Sequence, residues 1–348
     1  MTSLPANFAW WFFFNAAYLV FTVSALRTSD GHVGVSTAVG QLGVGSLYAL
    51  LTWGLGYNLL PILGLGTPTV QKLPKVSRSD AMSMLPIAII SAGLHISTVI
   101  ALENGSVFFV MVVKTGEPFA AAIVNTVAYG KAPSAAKWLC SLVIVGAIIA
   151  LVTSAACPEC STVALVAASI SNVFAALKGG ENQRLMSSVP GIKERIGGIG
   201  NLLALNVLLS FAVSLPAVLM EWDHLDALTD PTFLSNTVAA GMSFYLYNEL
   251  AAATIARTTA STASMANALK RALLIFGVQA WLGHSSTPVA VEGHIGLHRP
   301  DDFTESMGET TLVLASALTA ILGAFAFSII DDIVKAVTKP SKRMPGMV

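Results

Sequence analysis

Three cationic side chains lie in apolar segments that are long enough to cross a lipid bilayer. Lys114 lies in SVFFVMVVKTGEPFAAAIVNTVAYG, and the adjacent residues Lys270 and Arg271 lie in TASMANALKRALLIFGVQAWLG. A charge at bilayer depth costs at least ~2.5–3.5 kcal/mol per residue on insertion scales, so such residues usually face a cavity or a partner. Three charges of one sign on two distant segments therefore predict an internal site for an anion.

Lysine and arginine offer different chemistry to that anion. Arginine presents a planar fork that binds phosphate or carboxylate through two hydrogen bonds, and lysine presents a movable point charge. Two such residues beside a third from another helix suit a dianionic phosphate. Structural explanations stay open, because Lys114 can snorkel towards an interface or pair with Glu117 one turn later. Likewise, Lys270 or Arg271 can face a carboxylate such as Glu249.

Two polar residues precede Lys114 at a spacing that brings them near it. His95 and Thr98 are three residues apart and share one helix face. A tight ENGS connection at residues 103–106 predicts a helical hairpin between their segment and that of Lys114. His95 suits either a hydrogen bond between helices or a ligand contact. Tyr247 is open in the same way, because the hydroxyl of a buried tyrosine needs a partner.

The composition is that of an integral membrane protein. The 348 residues are 54% hydrophobic and 11% charged, whereas soluble domains carry roughly 25% charge. The 19 basic and 19 acidic residues balance, which predicts no nucleic-acid partner. Cys140 lies in an apolar run, and Cys157 and Cys160 alone make a poor zinc site. No Walker, HExxH or GxSxG motif is present, so we expect neither an enzyme nor a metal or cofactor.

The apolar runs predict an all-α membrane protein with ten transmembrane helices. Their expected positions are 8–26, 36–57, 80–102, 106–129, 134–154, 161–179, 199–220, 234–255, 262–283 and 310–331. The segments carrying the cations are the fourth and the ninth, which are equivalent places in two five-helix halves. We therefore expect one transporter domain over 1–348 with inverted repeats at 8–154 and 161–331, followed by a basic tail at 332–348.

The loops between these segments differ in charge on the two sides. The side that holds the N-terminus is basic, with Lys72, Lys75, Arg78, Lys131, Lys137, Arg184, Lys193, Arg195, Arg257, Lys335, Lys339, Lys342 and Arg343. The opposite side is mainly acidic, and its last loop, 284–309, is long. Basic loops stay on the side of synthesis, so both termini should face cytosol or stroma. No cleavable transit peptide is evident, which implies internal or already completed targeting.

Several motifs resemble one family, the plastid phosphate translocators, which are the triose-phosphate/phosphate antiporter group of the drug/metabolite transporter superfamily. STAVGQLGVGSLYALLTWGLG is similar to the family's second helix, and KTGEPF to its lysine–x–x–Glu–Pro–Phe motif. ISNVFAALKGGENQRLM is similar to its sixth helix. The most specific match is YNELAAATIARTTASTASMANALKRALLIF, in which the Tyr-Asn, Arg, Thr, Asn and Leu-Lys-Arg positions stay in register.

The resemblance implies a fold, an activity and a set of binding residues. The fold would be the drug/metabolite transporter fold, with ten helices in two inverted halves. The activity would be strict exchange of inorganic phosphate for a phosphorylated C3 compound or sugar phosphate. The implied phosphate ligands are Lys114, Lys270, Arg271 and Thr98. The implied contacts to the phosphate or its carbon skeleton are His95 and Tyr247. No protein partner is implied.

The chain also departs from the family pattern. The residues at the divergent positions are Thr22, Val23, Met111, Val112, Lys178, Gln183, Arg184, Ala260 and Ala263. These changes leave the predicted phosphate ligands in place and bear on the organic substrate. The resemblance implies the plastid inner envelope as the location. The alternatives are a nucleotide-sugar antiporter of the Golgi or endoplasmic reticulum, with the same fold, and a membrane protein that transports nothing.

Overall fold

The computed structural model describes residues 4–29, 32–56, 59, 72–153, 161–255, 257–258, 260–275 and 303–338. Within these ranges the chain forms helices and no β-strand. The predictions for Cys157 and Cys160, for most of the 284–309 loop and for the end of the basic tail lie outside the described residues.

The helices follow one another along the chain with short connections. The α-helices are α1 (Leu4–Thr28), α2 (Gly34–Leu55), α3 (Arg78–Asn104), α4 (Val107–Lys114), α5 (Glu117–Tyr129), α6 (Ala135–Val152), α7 (Thr162–Ser188), α8 (Ile192–Ile196), α9 (Ile199–Ser214), α10 (Pro231–Ile255), α11 (Ala260–Leu273) and α12 (Phe303–Thr338). A 3₁₀ segment at Leu215–Thr229 joins α9 to α10. The predicted hairpin at 103–106 is present between α3 and α4.

The described helices include eight that are long and apolar enough to cross a membrane. They correspond to α1, α2, α3, α4 with α5, α6, α7, α9 with the start of the 3₁₀ segment, and the central part of α12. Large apolar side chains such as Val127 and Met220 are exposed on the outside of the bundle, as contact with lipid requires. These features confirm an all-α membrane protein. The predicted span 234–255 lies within α10, and 262–283 begins within α11 and continues beyond the described residues.

The core forms where helices from the two parts of the chain pack in pairs. Helix α1 packs along α10, α3 along α7, and α6 along α12. Most of α4 is enclosed, with Phe109, Val110 and Val112 fully buried. Helices α2 and α10 approach closely at Gly241, where a Cβ atom would lie 2.9 Å from the backbone of Gln41. Glycine at this position lets α10 pack directly against the polar residue on α2.

Two carboxylates bind the start of α2. Glu103, at the end of α3, accepts hydrogen bonds of 2.8 Å from the N–H groups of residues 33 and 34. Glu221, from the 3₁₀ segment, accepts bonds of 2.7 Å from the N–H groups of residues 35 and 36. The first N–H groups of a helix lack partners within it and carry its positive dipole end, so carboxylates are favourable there. These four bonds tie α2 to both parts of the chain.

An ion pair fixes the opposite end of α3. Arg195 on α8 donates two hydrogen bonds to the buried Asp80 carboxylate, at 2.8 and 2.6 Å. The same carboxylate completes a capping box with Ser77 at the start of α3. The hydrogen bonds from Arg195 to Asp80 raise the pKa of the guanidinium above its ordinary value. The connection between α7 and α9 is thereby held against the first turn of α3.

We predict that Arg195→Gln lowers the free energy of unfolding by ~2–4 kcal/mol, because it leaves the buried Asp80 carboxylate without its counter-ion. Thermal unfolding of the detergent-solubilised protein measures the effect. Arg184→Gln is the matched control, since its side chain is 70% exposed and lies 3.7 Å from Glu181. That change should cost less than ~1 kcal/mol. Equal melting temperatures for the two variants would contradict the structural role of the ion pair.

Candidate functional site

The fourth predicted span is broken next to its lysine. Helix α4 ends at Lys114, and α5 begins at Glu117 with Pro118 in its first turn. Proline has no N–H group to continue the hydrogen-bond ladder, so the chain turns through Thr115 and Gly116. The Asn172 side chain of α7 donates a 2.9 Å hydrogen bond to the carbonyl of Val113 and satisfies a carbonyl near the break. Irregular backbone at membrane depth is tolerated where protein surrounds it in this way.

Lys114 is anchored to two neighbouring helices by hydroxyl groups. Its Nζ donates to Thr98 Oγ1 on α3 at 3.0 Å and to Ser171 Oγ on α7 at 2.9 Å. Both hydroxyls donate their own protons to backbone carbonyls, so they meet the ammonium group as acceptors. A lysine has three N–H donors, and one is left for a ligand. The structure thus brings together Lys114 and Thr98, as the sequence spacing predicts.

Arg271 forms an ion pair that links α11 to α5. Its Nη2 donates a hydrogen bond to Oε2 of Glu117. The Arg271 side chain is mostly buried, and that of Glu117 is 38% exposed. The direct partner of Glu117 is thus Arg271, from the other part of the chain, whereas Lys114 one turn earlier bonds to hydroxyl groups.

Lys270 points to aromatic rings. Its Nζ lies 5.3 Å from the centre of the Trp11 ring on α1 and 5.9 Å from that of Tyr247 on α10. The negative face of an aromatic ring attracts a cation, more strongly when both are removed from water. The Trp11 side chain is 2% exposed, so this contact is sheltered. An aromatic face lets an anion compete for Lys270 more easily than a carboxylate would.

The three predicted cations form one cluster around a carboxylate. Glu117 interacts electrostatically with Lys114, Lys270 and Arg271. The cations also repel one another. Within this group of four, two positive charges are left uncompensated. Such a cluster is suited to bind an anion with two negative charges.

His95 and Tyr247 lie beside this cluster. His95 Nε2 is 2.9 Å from Oε1 of Gln41 on α2, and its ring centre is 4.2 Å from that of Phe244. Tyr247 lies over Lys270, and its ring centre is 5.6 Å from that of Phe244. The structure therefore places all six predicted site residues in one connected region. An aromatic and polar wall adjoins the charged groups there.

The sequence analysis did not identify several residues in this region. They are Trp11, Gln41, Ser171 and, as an electrostatic neighbour of His95, Lys178. A signal was available for Gln41 and Lys178, because each is a strongly polar residue within a predicted span. Trp11 and Ser171 resemble many other residues of membrane helices, and only the packing of α1 and α7 shows their role.

The fold and this cluster define a polytopic membrane protein with a cationic internal site. Among the described residues, no group of His, Cys, Asp and Glu side chains is arranged to hold a metal ion. The chain belongs to the Triose-phosphate Transporter family, whose sequence model matches residues 2–297. The predicted resemblance to plastid phosphate translocators is thereby confirmed.

Individual relatives are distant but cover much of the chain. It is 22% identical over 279 residues to the chloroplastic phosphoenolpyruvate/phosphate translocator 1 of Arabidopsis thaliana, which covers 77% of this chain and 62% of the relative. It is 25% identical over 302 residues to the chloroplastic triose phosphate/phosphate translocator of Spinacia oleracea, covering 83% and 68%. It is 26% identical over 278 residues to the chloroplastic xylulose 5-phosphate/phosphate translocator of Arabidopsis thaliana, covering 77% and 61%. The matches thus span about three fifths to two thirds of each relative's length.

We predict that Glu117→Gln makes the protein depend on anions for its stability. Without the carboxylate, three cations face one another, which should lower the free energy of unfolding by ~1–2 kcal/mol in anion-poor buffer. Added inorganic phosphate should then raise the melting temperature more than it does in the unmodified protein.

Glu194→Gln provides the control, since Glu194 is exposed on α8 outside the cluster. Its melting temperature should respond to phosphate as that of the unmodified protein does. An equal response in Glu117→Gln would contradict the electrostatic role of Glu117.

Proposed function

We propose that the protein is a strict antiporter that exchanges inorganic phosphate for a phosphorylated C3 compound or sugar phosphate by alternating access. The observation that carries this proposal is the cluster of Lys114, Lys270 and Arg271 around Glu117 inside an apolar helical bundle. Membership of the Triose-phosphate Transporter family supports it. The relatives described above are phosphate translocators by name, which supports phosphate as one of the two exchanged anions.

Each site residue has a proposed role. Lys114, Lys270 and Arg271 bind the phosphate oxygens, with Arg271 using the guanidinium donors that do not face Glu117. Thr98 joins them after its hydroxyl rotates away from the carbonyl of Leu94, to which it now donates. The wall formed by His95 and Tyr247 contacts the carbon skeleton. Phosphate recognition and substrate choice are thereby assigned to adjoining parts of one site.

The charge of the empty site explains why transport would be an exchange. Closing the bundle over two uncompensated charges removes them from water, which costs several kcal/mol per unpaired ion. A bound dianion neutralises the cluster and removes most of that cost. A ligand shifts a conformational equilibrium only through such a difference in interaction. The loaded carrier therefore crosses the membrane, and the empty carrier does not.

Alternating access requires two halves that move relative to each other, and we assign these to 8–154 and 161–331. Under an exchange of halves by five spans, the pairing of α1 with α10 becomes the pairing of α7 with α3. The pairing of α6 with α12 becomes itself. All three pairings occur in the structure. This pattern supports ten spans in two inverted repeats, with α10 and α11 carrying the eighth and the ninth.

We place the protein in the plastid inner envelope, with both termini on the stromal side. The relatives described above are chloroplastic by name. The basic loops support the orientation, because they stay on the side of synthesis. None of these three relatives is a nucleotide-sugar carrier, so they do not favour the Golgi alternative.

We predict that proteoliposomes preloaded with phosphate take up phosphate and triose phosphate, whereas empty proteoliposomes take up neither. The physical reason is that the unloaded site cannot close and return. Uptake of radiolabelled phosphate with and without internal phosphate measures this, and protein-free liposomes provide the background. Rapid uptake into vesicles with no internal anion would contradict obligatory exchange.

We further predict that Lys114→Ala, Lys270→Ala and Arg271→Ala each reduce phosphate exchange at least ~100-fold, since each removes one charge-assisted contact to the phosphate. Arg257→Ala is the matched control, because Arg257 is exposed in the turn between α10 and α11. Its rate should stay within about twofold of the unmodified protein. A Lys270→Ala protein with full activity would exclude Lys270 from the phosphate site.

A further inference from the structure

A chain of buried polar side chains crosses three helices behind the proposed substrate site. Gln41 Nε2 on α2 donates a 3.0 Å hydrogen bond to Thr22 Oγ1 on α1. Gln41 Oε1 lies 2.9 Å from His95 Nε2 on α3. Thr22 and Gln41 are fully buried, and His95 is 5% exposed. Such a chain is stable only when each of its groups finds a matching partner.

The chain of bonds determines which His95 nitrogen carries the proton. With the amide nitrogen of Gln41 directed to Thr22, only its oxygen faces His95. An amide oxygen is an acceptor, so His95 Nε2 must carry a proton and donate it. The charged groups that act on His95 are Lys114 and Lys178, both cations. A neutral imidazole is consistent with those neighbours, and its other nitrogen, Nδ1, is then an acceptor.

The free acceptor belongs to the region of the phosphate cluster. Within the described residues, Nδ1 of His95 has no hydrogen-bond partner. Thr98, one turn further along the same face of α3, bonds directly to Lys114. The ring of His95 also adjoins those of Phe244 and Tyr18, at 4.2 and 6.0 Å between centres. An acceptor in this position can receive a hydrogen bond from a substrate hydroxyl, whereas a fully ionised phosphate has no proton to give.

We propose that Gln41 is a positioning residue that holds His95 with Nδ1 as an acceptor, and that the carrier thereby selects phosphorylated substrates with a hydroxyl group on the carbon skeleton. This inference rests on the proposed function. It adds a chemical criterion for the organic substrate and names a residue that sets it. A site built to bond a hydroxyl discriminates against an analogue that lacks it, because its own polar group is then left without a partner.

A matched pair of substrates tests the proposal in phosphate-loaded proteoliposomes. The pair is 3-phosphoglycerate and 3-phosphooxypropanoate, which differ only in the C2 hydroxyl. In the unmodified protein we expect the half-saturating concentration to be roughly fivefold to tenfold lower for the hydroxylated compound, as one net hydrogen bond implies. Gln41→Leu should bring this ratio close to one while phosphate–phosphate exchange continues.

Further variants separate positioning from general structural damage. Asn206→Leu is the matched control, because Asn206 on α9 also makes a buried hydrogen bond between helices, at 2.9 Å to Ser91. Its ratio should stay that of the unmodified protein. His95→Phe alone should remove the preference, and adding Gln41→Leu to it should change the ratio no further. Thr22→Val, a milder change that frees the Gln41 amide to rotate, should lower the ratio and replaces Gln41→Leu if that variant does not fold.

The outcomes separate this inference from the proposed function. Exchange by the unmodified protein with a ratio near one overturns the inference and leaves antiport intact. The inference is also overturned if Gln41→Leu, or Thr22→Val in its place, keeps the full ratio. Absence of any phosphate exchange in the unmodified protein contradicts the proposed function itself.

Discussion

The structure depends on keeping several positive charges inside an apolar bundle. Lys114, Lys270 and Arg271 each need compensation, because an unpaired ion in a medium of low polarity is costly. The chain supplies it by three different means, which are hydroxyl groups for Lys114, aromatic faces for Lys270 and a carboxylate for Arg271. Only the last of these is a full counter-ion. The site is therefore stable without a ligand yet retains a strong attraction for anions.

The surrounding scaffold explains how this incomplete compensation is maintained. The break between α4 and α5 places Lys114 and Glu117 at two helix ends. The carboxylates at the start of α2 and the Asp80–Arg195 pair fix the two ends of α3, which carries Thr98 and His95 between them. Substantial binding energy is thus invested at the ends of α3, away from the cluster. The charged groups can then exchange partners while the helices that carry them stay in place.

Much of this arrangement could be predicted from the sequence, and the limits have physical causes. Hydropathy predicted the spans because lipid contact demands apolar side chains along a whole helix. The tight 103–106 turn predicted the approach of Thr98 to Lys114 because it concerns neighbouring segments. The pairing of Glu117 with Arg271 could not be predicted in this way, since it depends on how α5 meets α11, over 150 positions apart in the chain. Spacing along one helix suggested Lys114 instead.

The most direct test of the account is an experimental structure of the protein with a bound tetrahedral oxyanion such as phosphate or tungstate. The account predicts one anion in contact with Lys114, Lys270 and Arg271 together, with Lys270 moved away from the Trp11 ring. An anion bound elsewhere, while these cations keep their contacts to hydroxyl, aromatic and carboxylate groups, would contradict it.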